Sequence, residues 1–212
     1  MKRIKTCIFD LGNVLVFHDN ALMFQRLGEV AAPSIPASEV QHRLLSNPLW
    51  DAANRGELEG PGIYRQIQQV LGLAIDFEGF KRVWSCHFSL NLPMLREVEL
   101  LLEVGEVKVL LLSNTNVLHL DYLLPRLPLL GRFEHRIFSN QVGLVKPNPE
   151  IFKLALRKAG ADPQATLFVD DVEEYVGAAR ALGIQAHRFD PLQTAEAQVR
   201  KWMTVGDKLA GH

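Results

Sequence analysis

Ile4-Lys5-Thr6-Cys7-Ile8-Phe9-Asp10-Leu11-Gly12-Asn13-Val14-Leu15 reads as a buried strand that ends on a carboxylate. Its first half is apolar and β-branched, and a glycine follows the aspartate two residues later, where the chain turns. In an open α/β sheet, ligands bind beyond the carboxyl ends of the strands. Asp10 therefore stands where a nucleophile is best displayed.

The pattern continues along the chain. Val107 to Ser113 and Thr166 to Val169 are apolar runs with polar residues directly after them, and shorter strands are expected at Arg136–Phe138 and Gly183–His187. Helical spacing falls between these runs. Pro93–Val104 places Leu95, Val98, Leu101 and Leu102 on one face; Pro149–Ala159 does the same with Ile151, Phe152, Ala155 and Leu156. Glu173–Leu182 is a further helix, closed by Gly183. Strands alternating with helices specify βαβ units and a mainly parallel sheet.

From His18 to Leu90 the alternation stops. Helices are expected at Ala21–Val30, Ala37–Ser46, Gly62–Leu71 and Phe77–Phe88, with no convincing strand among them and only a turn at Gly56–Gly62. A helical block of this size is too long for an ordinary crossover. It reads as an inserted all-helical domain over the carboxyl edge of the sheet. The expected division is 1–17 and 91–212 for a Rossmann-like α/β core and 18–90 for a helical cap.

Composition narrows the functional classes. The chain has 212 residues, 48% of them hydrophobic, enough for a sizeable core. Lys and Arg total 23 and Asp and Glu 24, a net charge of −1, so no basic excess points to nucleic acid. Cys7 and Cys86 form neither a disulfide framework nor a CxxC site. Reduced thiols, and a strand directly after Met1-Lys2-Arg3 in place of an apolar targeting core, fit a cytoplasmic protein. The Leu-rich run Leu100–Leu112 carries Glu103, Glu106 and Lys108, which argues against a membrane span.

Four short segments follow the expected strands: Asp10-Leu11-Gly12, Ser113-Asn114-Thr115-Asn116, Lys146-Pro147-Asn148-Pro149 and Asp170-Asp171. A parallel sheet would gather them at one edge, where they supply carboxylates, a hydroxyl, a lysine and backbone N–H groups. Each has an ordinary explanation alone. Asp-x-Gly and Ser-Asn are common turns, Asp170-Asp171 suits a helix N-terminus, and Lys146 suits a solvated loop. Together they favour catalysis. Asn13, Asn116 and Asn140 read as turn or loop hydrogen-bonders, and Trp50, Trp84 and Phe88 as cap core. The seven histidines show no metal-ligand spacing.

With these motifs the chain resembles haloacid dehalogenase (HAD) superfamily phosphatases with an inserted helical cap. Its likeness is to bacterial sugar-phosphate phosphatases of the glucose-1-phosphate type, which open with Phe-Asp-Leu-Gly-Asn-Val. The resemblance implies hydrolysis of a small phosphorylated metabolite by a monomer or homodimer, with Asp10 attacking phosphorus to form an aspartyl-phosphate. It implies Mg²⁺ held by Asp10, the Gly12 carbonyl and the acidic pair, with Asp171 the direct ligand and Asp170 a partner one step out or through water. Ser113 and the Asn114 N–H would hold phosphate oxygens, and Lys146 would neutralise the phosphate and keep Asp10 ionised.

Two departures from that pattern stand out. Many relatives carry a second aspartate, a general acid/base, at the position of Gly12; Asp19 or His18 is the candidate substitute. After the acidic pair, Glu173-Glu174-Tyr175 stands where relatives often have Asn or Asp, with Glu174 offered for part of that role. Two rival readings remain. One is a metal-independent 2-haloacid dehalogenase, disfavoured by Asp170-Asp171. The other is a catalytically weak phosphometabolite-binding protein.

Overall fold

The alternation of apolar side chains in Thr6-Cys7-Ile8-Phe9 sets the middle of the molecule. Successive residues of a strand face opposite sides of a sheet. Cys7 and Phe9 join one buried cluster and Ile8 joins another, all three fully buried. A strand covered on both faces belongs at the centre of a parallel sheet. In the computed structural model, which describes residues 2–204, β1 (Thr6–Phe9) lies there. Residues 1 and 205–212 of the expected core lie outside the described residues.

After β1 the chain forms β2 (Val16–His18) and then five helices: α1 (Asn20–Glu29), α2 (Ala37–Leu45), α3 (Leu49–Asn54), α4 (Gly60–Leu71) and α5 (Phe77–Ser85). It returns through β3 (Phe88–Leu90) and α6 (Leu92–Val104) to β4 (Lys108–Ser113) and α7 (Val117–Leu123). Then come β5 (His135–Phe138), α8 (Ser139–Val142), α9 (Pro149–Ala159), β6 (Thr166–Asp170), α10 (Glu173–Ala181), β7 (Gln185–Arg188) and α11 (Ala195–Thr204).

The five-stranded sheet has the order β5-β4-β1-β6-β7 and is parallel throughout. Phe9 is level with Leu111 and Val169, so Asp10 lies beside Asp170 at the end of β6 and one residue short of Ser113 at the end of β4. One face packs Val109, Leu111 and Val169 against Met94 and Val98 of α6 and Trp202 of α11. The other packs Leu110, Leu112 and Phe168 against Ile151 and Phe152 of α9 and Val176 of α10. Each such large side chain contributes about 1.5–3 kcal/mol on burial.

Helices α1–α5 enclose a third core around Met23, Leu27, Val40, Leu44, Ile63, Ile67, Phe80 and Trp84. Leu118 of α7 also belongs to it, so this helical cap is seated on the core. The sequence reading missed how the cap is attached. β2 and β3 pair antiparallel, Val16 opposite Leu90 and His18 opposite Phe88, forming a two-stranded ribbon at the crossing. Phe88 packs against the core-sheet cluster, not inside the cap as expected. The expected turn at Gly56–Gly62 ends early, because α4 already begins at Gly60.

Candidate active site

Each segment singled out in the sequence ends a strand of the central sheet or opens the helix after it. The structure brings Asp10, Gly12, Ser113, Asn114, Lys146 and Asp171 into the lining of one cavity of about 290 Å³, with Asp170 buried directly behind it. Carboxylate oxygens of Asp10, Asp170 and Asp171 lie within 4.8 Å of one another. Like charges so close need compensation, and Lys146 supplies part of it. Its Nζ stands 2.9 Å from Asp10 Oδ1 and 2.5 Å from Asp170 Oδ2. All three groups are almost wholly shut from solvent.

The loops that carry these groups hold one another. Asn114 grips the Lys146 backbone from both sides: Lys146 N–H donates to Asn114 Oδ1 at 2.8 Å, and Asn114 Nδ2 donates to the Lys146 carbonyl at 2.9 Å. Thr115 N–H donates to Ser139 Oγ at 2.9 Å. Asp170 Oδ1 accepts from Val172 N–H at 2.9 Å, so both Asp170 oxygens are engaged. Asn13 is the one non-glycine residue with positive φ, 52°, among those described. Its Nδ2 donates to Asp171 Oδ2 at 2.9 Å, and its Oδ1 accepts from His18 N–H at 3.3 Å. Asparagine tolerates this backbone geometry better than most residues.

Burial raises the Asp10 carboxyl to about 7; Lys146 opposes that and Asp170 adds to it. Burial pulls the Lys146 ammonium down, but Asp10 and Asp170 outweigh it, so the net shift is upward. The site thus has more buried negative charge than one ammonium offsets. Asp10 Oδ1 has no partner in hydrogen-bond geometry despite its ion pair with Lys146. A hard divalent cation fits this set, because Mg²⁺ takes carboxylate oxygens and keeps waters.

The cap side of the cavity is lined by His18, Asn20, Trp50, Asn54 and His87, and α7 contributes His119. Burial lowers His87 to about 4, with His18 adding to the effect, and lowers His119 well below the usual imidazole range. Trp84 is cap core, as expected, and stacks on His119 at 5.6 Å. Trp50 and Phe88, also expected as core, line the cavity. Asn20 and Asn54 gave no motif signal; they line the site because the cap is docked over it, while His119 reaches it from α7 of the core. Asn116 caps α7, its Oδ1 accepting from His119 N–H at 3.2 Å.

Two suggestions from the sequence do not hold. Asp19 caps α1 by accepting from Leu22 N–H at 3.1 Å and does not line the cavity. Glu174 is exposed and stands away from it. Tyr175 does line it, its ring 5.1 Å from Lys146 Nζ.

A family model for haloacid dehalogenase-like hydrolases matches residues 4–183. The chain belongs to the haloacid dehalogenase-like hydrolase family. Among curated members it is 26% identical to a D-ribitol-5-phosphate phosphatase of Bacteroides thetaiotaomicron, over 91% of this chain and 94% of that one. It is 28% identical to a phosphorylated carbohydrates phosphatase of Thermotoga maritima, over 86% and 83%. A crystal structure of a HAD family enzyme from B. thetaiotaomicron superposes with a TM-score of 0.83 at 25% identity, covering 94% of this chain and all of that one. That enzyme in complex with magnesium and inorganic phosphate gives a TM-score of 0.79 at 24% identity, over 90% and 96%. This HAD-like hydrolase therefore shares its overall fold with these enzymes over nearly the whole chain. No helix among its described residues is long and apolar enough to cross a membrane.

Proposed function

We propose that the protein is a Mg²⁺-dependent phosphatase of small sugar or polyol phosphates, working through a phosphorylated Asp10. The observation that carries this reading is the set of three converging carboxylates, with Lys146 between two of them, at the carboxyl edge of the sheet. The names of its relatives, phosphatases of ribitol phosphate and of phosphorylated carbohydrates, support the substrate class. The metal-and-phosphate complex of the B. thetaiotaomicron enzyme supports the cofactor.

Residues 1–17 and 91–212 serve as the core and 18–90 as the cap. Asp10 attacks phosphorus with one carboxylate oxygen. The ester P–O bond breaks, its electron pair stays on the leaving oxygen, and water later releases phosphate from Asp10. Ser113 Oγ and the Asn114 N–H hold equatorial phosphate oxygens, and Lys146 offsets their charge, as phosphoryl transfer requires. Asp10, the Gly12 carbonyl and Asp171 would hold Mg²⁺, with Asp170 supporting Lys146. Once bound, the cation would offset the negative charge of the nucleophile and of the phosphate. The cap shields the reaction from bulk water and limits the leaving group to a small one.

The test is phosphate release from p-nitrophenyl phosphate and a panel of phosphorylated metabolites, with Mg²⁺ and with EDTA, beside chloride release from 2-chloropropionate. Turnover confined to phosphate esters and abolished by EDTA is expected. Chloride release without metal would replace this reading with a dehalogenase. Tight binding without turnover would replace it with a phosphometabolite-binding protein.

A further inference from the structure

We propose that His18 is a catalytic residue on the leaving-group side, its Nε2 hydrogen-bonding the ester oxygen that departs from phosphorus. The inference rests on the phosphatase reading above and adds a residue to it.

The geometry begins at Gly12. A Cβ built on Gly12 would meet only the His18 ring, with Cδ2 and Nε2 each at 3.3 Å, and Gly12 does not have the positive φ that would demand glycine. The Nε2 edge of His18 therefore occupies the space that a side chain at position 12, two residues beyond Asp10, would use. Both residues line the cavity.

The ring is held there. His18 ends β2 and pairs with Phe88 of β3. Its N–H donates to Asn13 Oδ1, and the same Asn13 amide donates to Asp171 Oδ2. Asn13 is thus a positioning residue that fixes His18 relative to the carboxylates. Asn20 also lines the cavity near this ring, and an amide can donate or accept, so it suits either tautomer.

Three polar residues beside the carboxylates are committed elsewhere. Lys146 bridges Asp10 and Asp170, Asn114 clamps the Lys146 backbone, and Asn13 joins Asp171 to His18. As the P–O bond breaks, negative charge builds on the leaving oxygen. The imidazole N–H disperses that charge, and the oxygen then takes its proton from water. A fixed donor aimed at developing charge acts mainly on turnover.

The experiment compares His18→Ala and His18→Gln with the parent on p-nitrophenyl phosphate, whose leaving group needs little help, and on a polyol monophosphate, whose leaving group needs much. For His18→Ala we expect kcat on the polyol ester to fall about 10²-fold, with a change under about threefold on the aryl ester. His18→Gln, which keeps an N–H donor, should recover at least about tenfold of that loss. The double change Gly12→Asp with His18→Ala should also recover polyol turnover, because the new carboxyl enters the vacated space. The Mg²⁺-induced rise in melting temperature should match the parent in His18→Ala, which a merely structural role would not preserve. Equal losses on both esters, or no loss on the polyol ester, overturn the inference while leaving the phosphatase reading intact. A parent protein that hydrolyses neither ester with Mg²⁺ overturns both.

Discussion

Lys146 joins two carboxylates that would otherwise face each other without a counter-charge. Truncating one member of a buried ion-pair network typically costs about 3–5 kcal/mol, because the remaining charges stay desolvated. Lys146→Met should lose about that much stability in urea titrations, and Mg²⁺ should restore part of it. Asp10 acts in the opposite sense. Its folded-state pKa is about 7 against an ordinary 3.8, so between those values the folded protein holds a proton that the unfolded chain has released. The contribution of this group is therefore full below about pH 4 and is lost as pH rises through about 7. Metal-free protein should accordingly lose stability from pH 5 to pH 8, and the Mg²⁺ thermal shift should be larger at pH 8. Asp10→Asn should abolish phosphate release while flattening that pH slope. A mutant with parental turnover would remove Asp10 as nucleophile.

At the scale of elements, Asn91 has two tasks. Its Oδ1 accepts from Met94 N–H at 3.4 Å to cap α6, and its Nδ2 donates to the Val14 carbonyl at 2.7 Å. Losing a cap costs about 1 kcal/mol, and an unpaired buried carbonyl costs about 1–3 kcal/mol more. Asn91→Ala should therefore lower stability by about 2–3 kcal/mol in a denaturant titration. The elements around it differ in how plainly the chain announces them. The central strands were legible because both faces are buried and their composition says so. Helices α6 and α9 were legible from their spacing, and α10 from the glycine that closes it. β2 and β3 were not. Val16-Phe17-His18 and Phe88-Ser89-Leu90 are too short to carry a period, and each exists because a partner some seventy positions away completes it. α3 and α7 are each a turn or two long, below what periodicity resolves.

For the whole molecule, site legibility divides at the interface between core and cap. Asp10, Ser113, Lys146 and the acidic pair could be gathered from sequence because parallel topology alone aligns strand ends. Trp50, Asn54 and His87 could not, since their approach depends on how the cap is seated. Glycines govern that seating. A Cβ on Gly56, where φ is +74°, would lie 1.8 Å from the Asn140 carbonyl oxygen, and one on Gly60 would lie 2.8 Å from Leu118 Cδ2. Gly56→Ala should lift the cap from the core and reduce kcat/KM on a polyol phosphate by about 10²-fold, as displacement near 1 Å can. The Mg²⁺-induced rise in melting temperature should persist, because none of the ion's proposed ligands lies in the cap.

The ribbon of β2 and β3 has a kinetic consequence. Both passages between the two bodies run side by side through one hydrogen-bonded strip, so any parting of them must swing about that strip like a door on its jamb. His18, in the strip, and His87, beside it, would travel little during such a swing. Trp50 and Asn54, on α3 and outside the strip, would move relative to them. Product would then leave past the tryptophan, while the imidazoles remained with the nucleophile for the next ester.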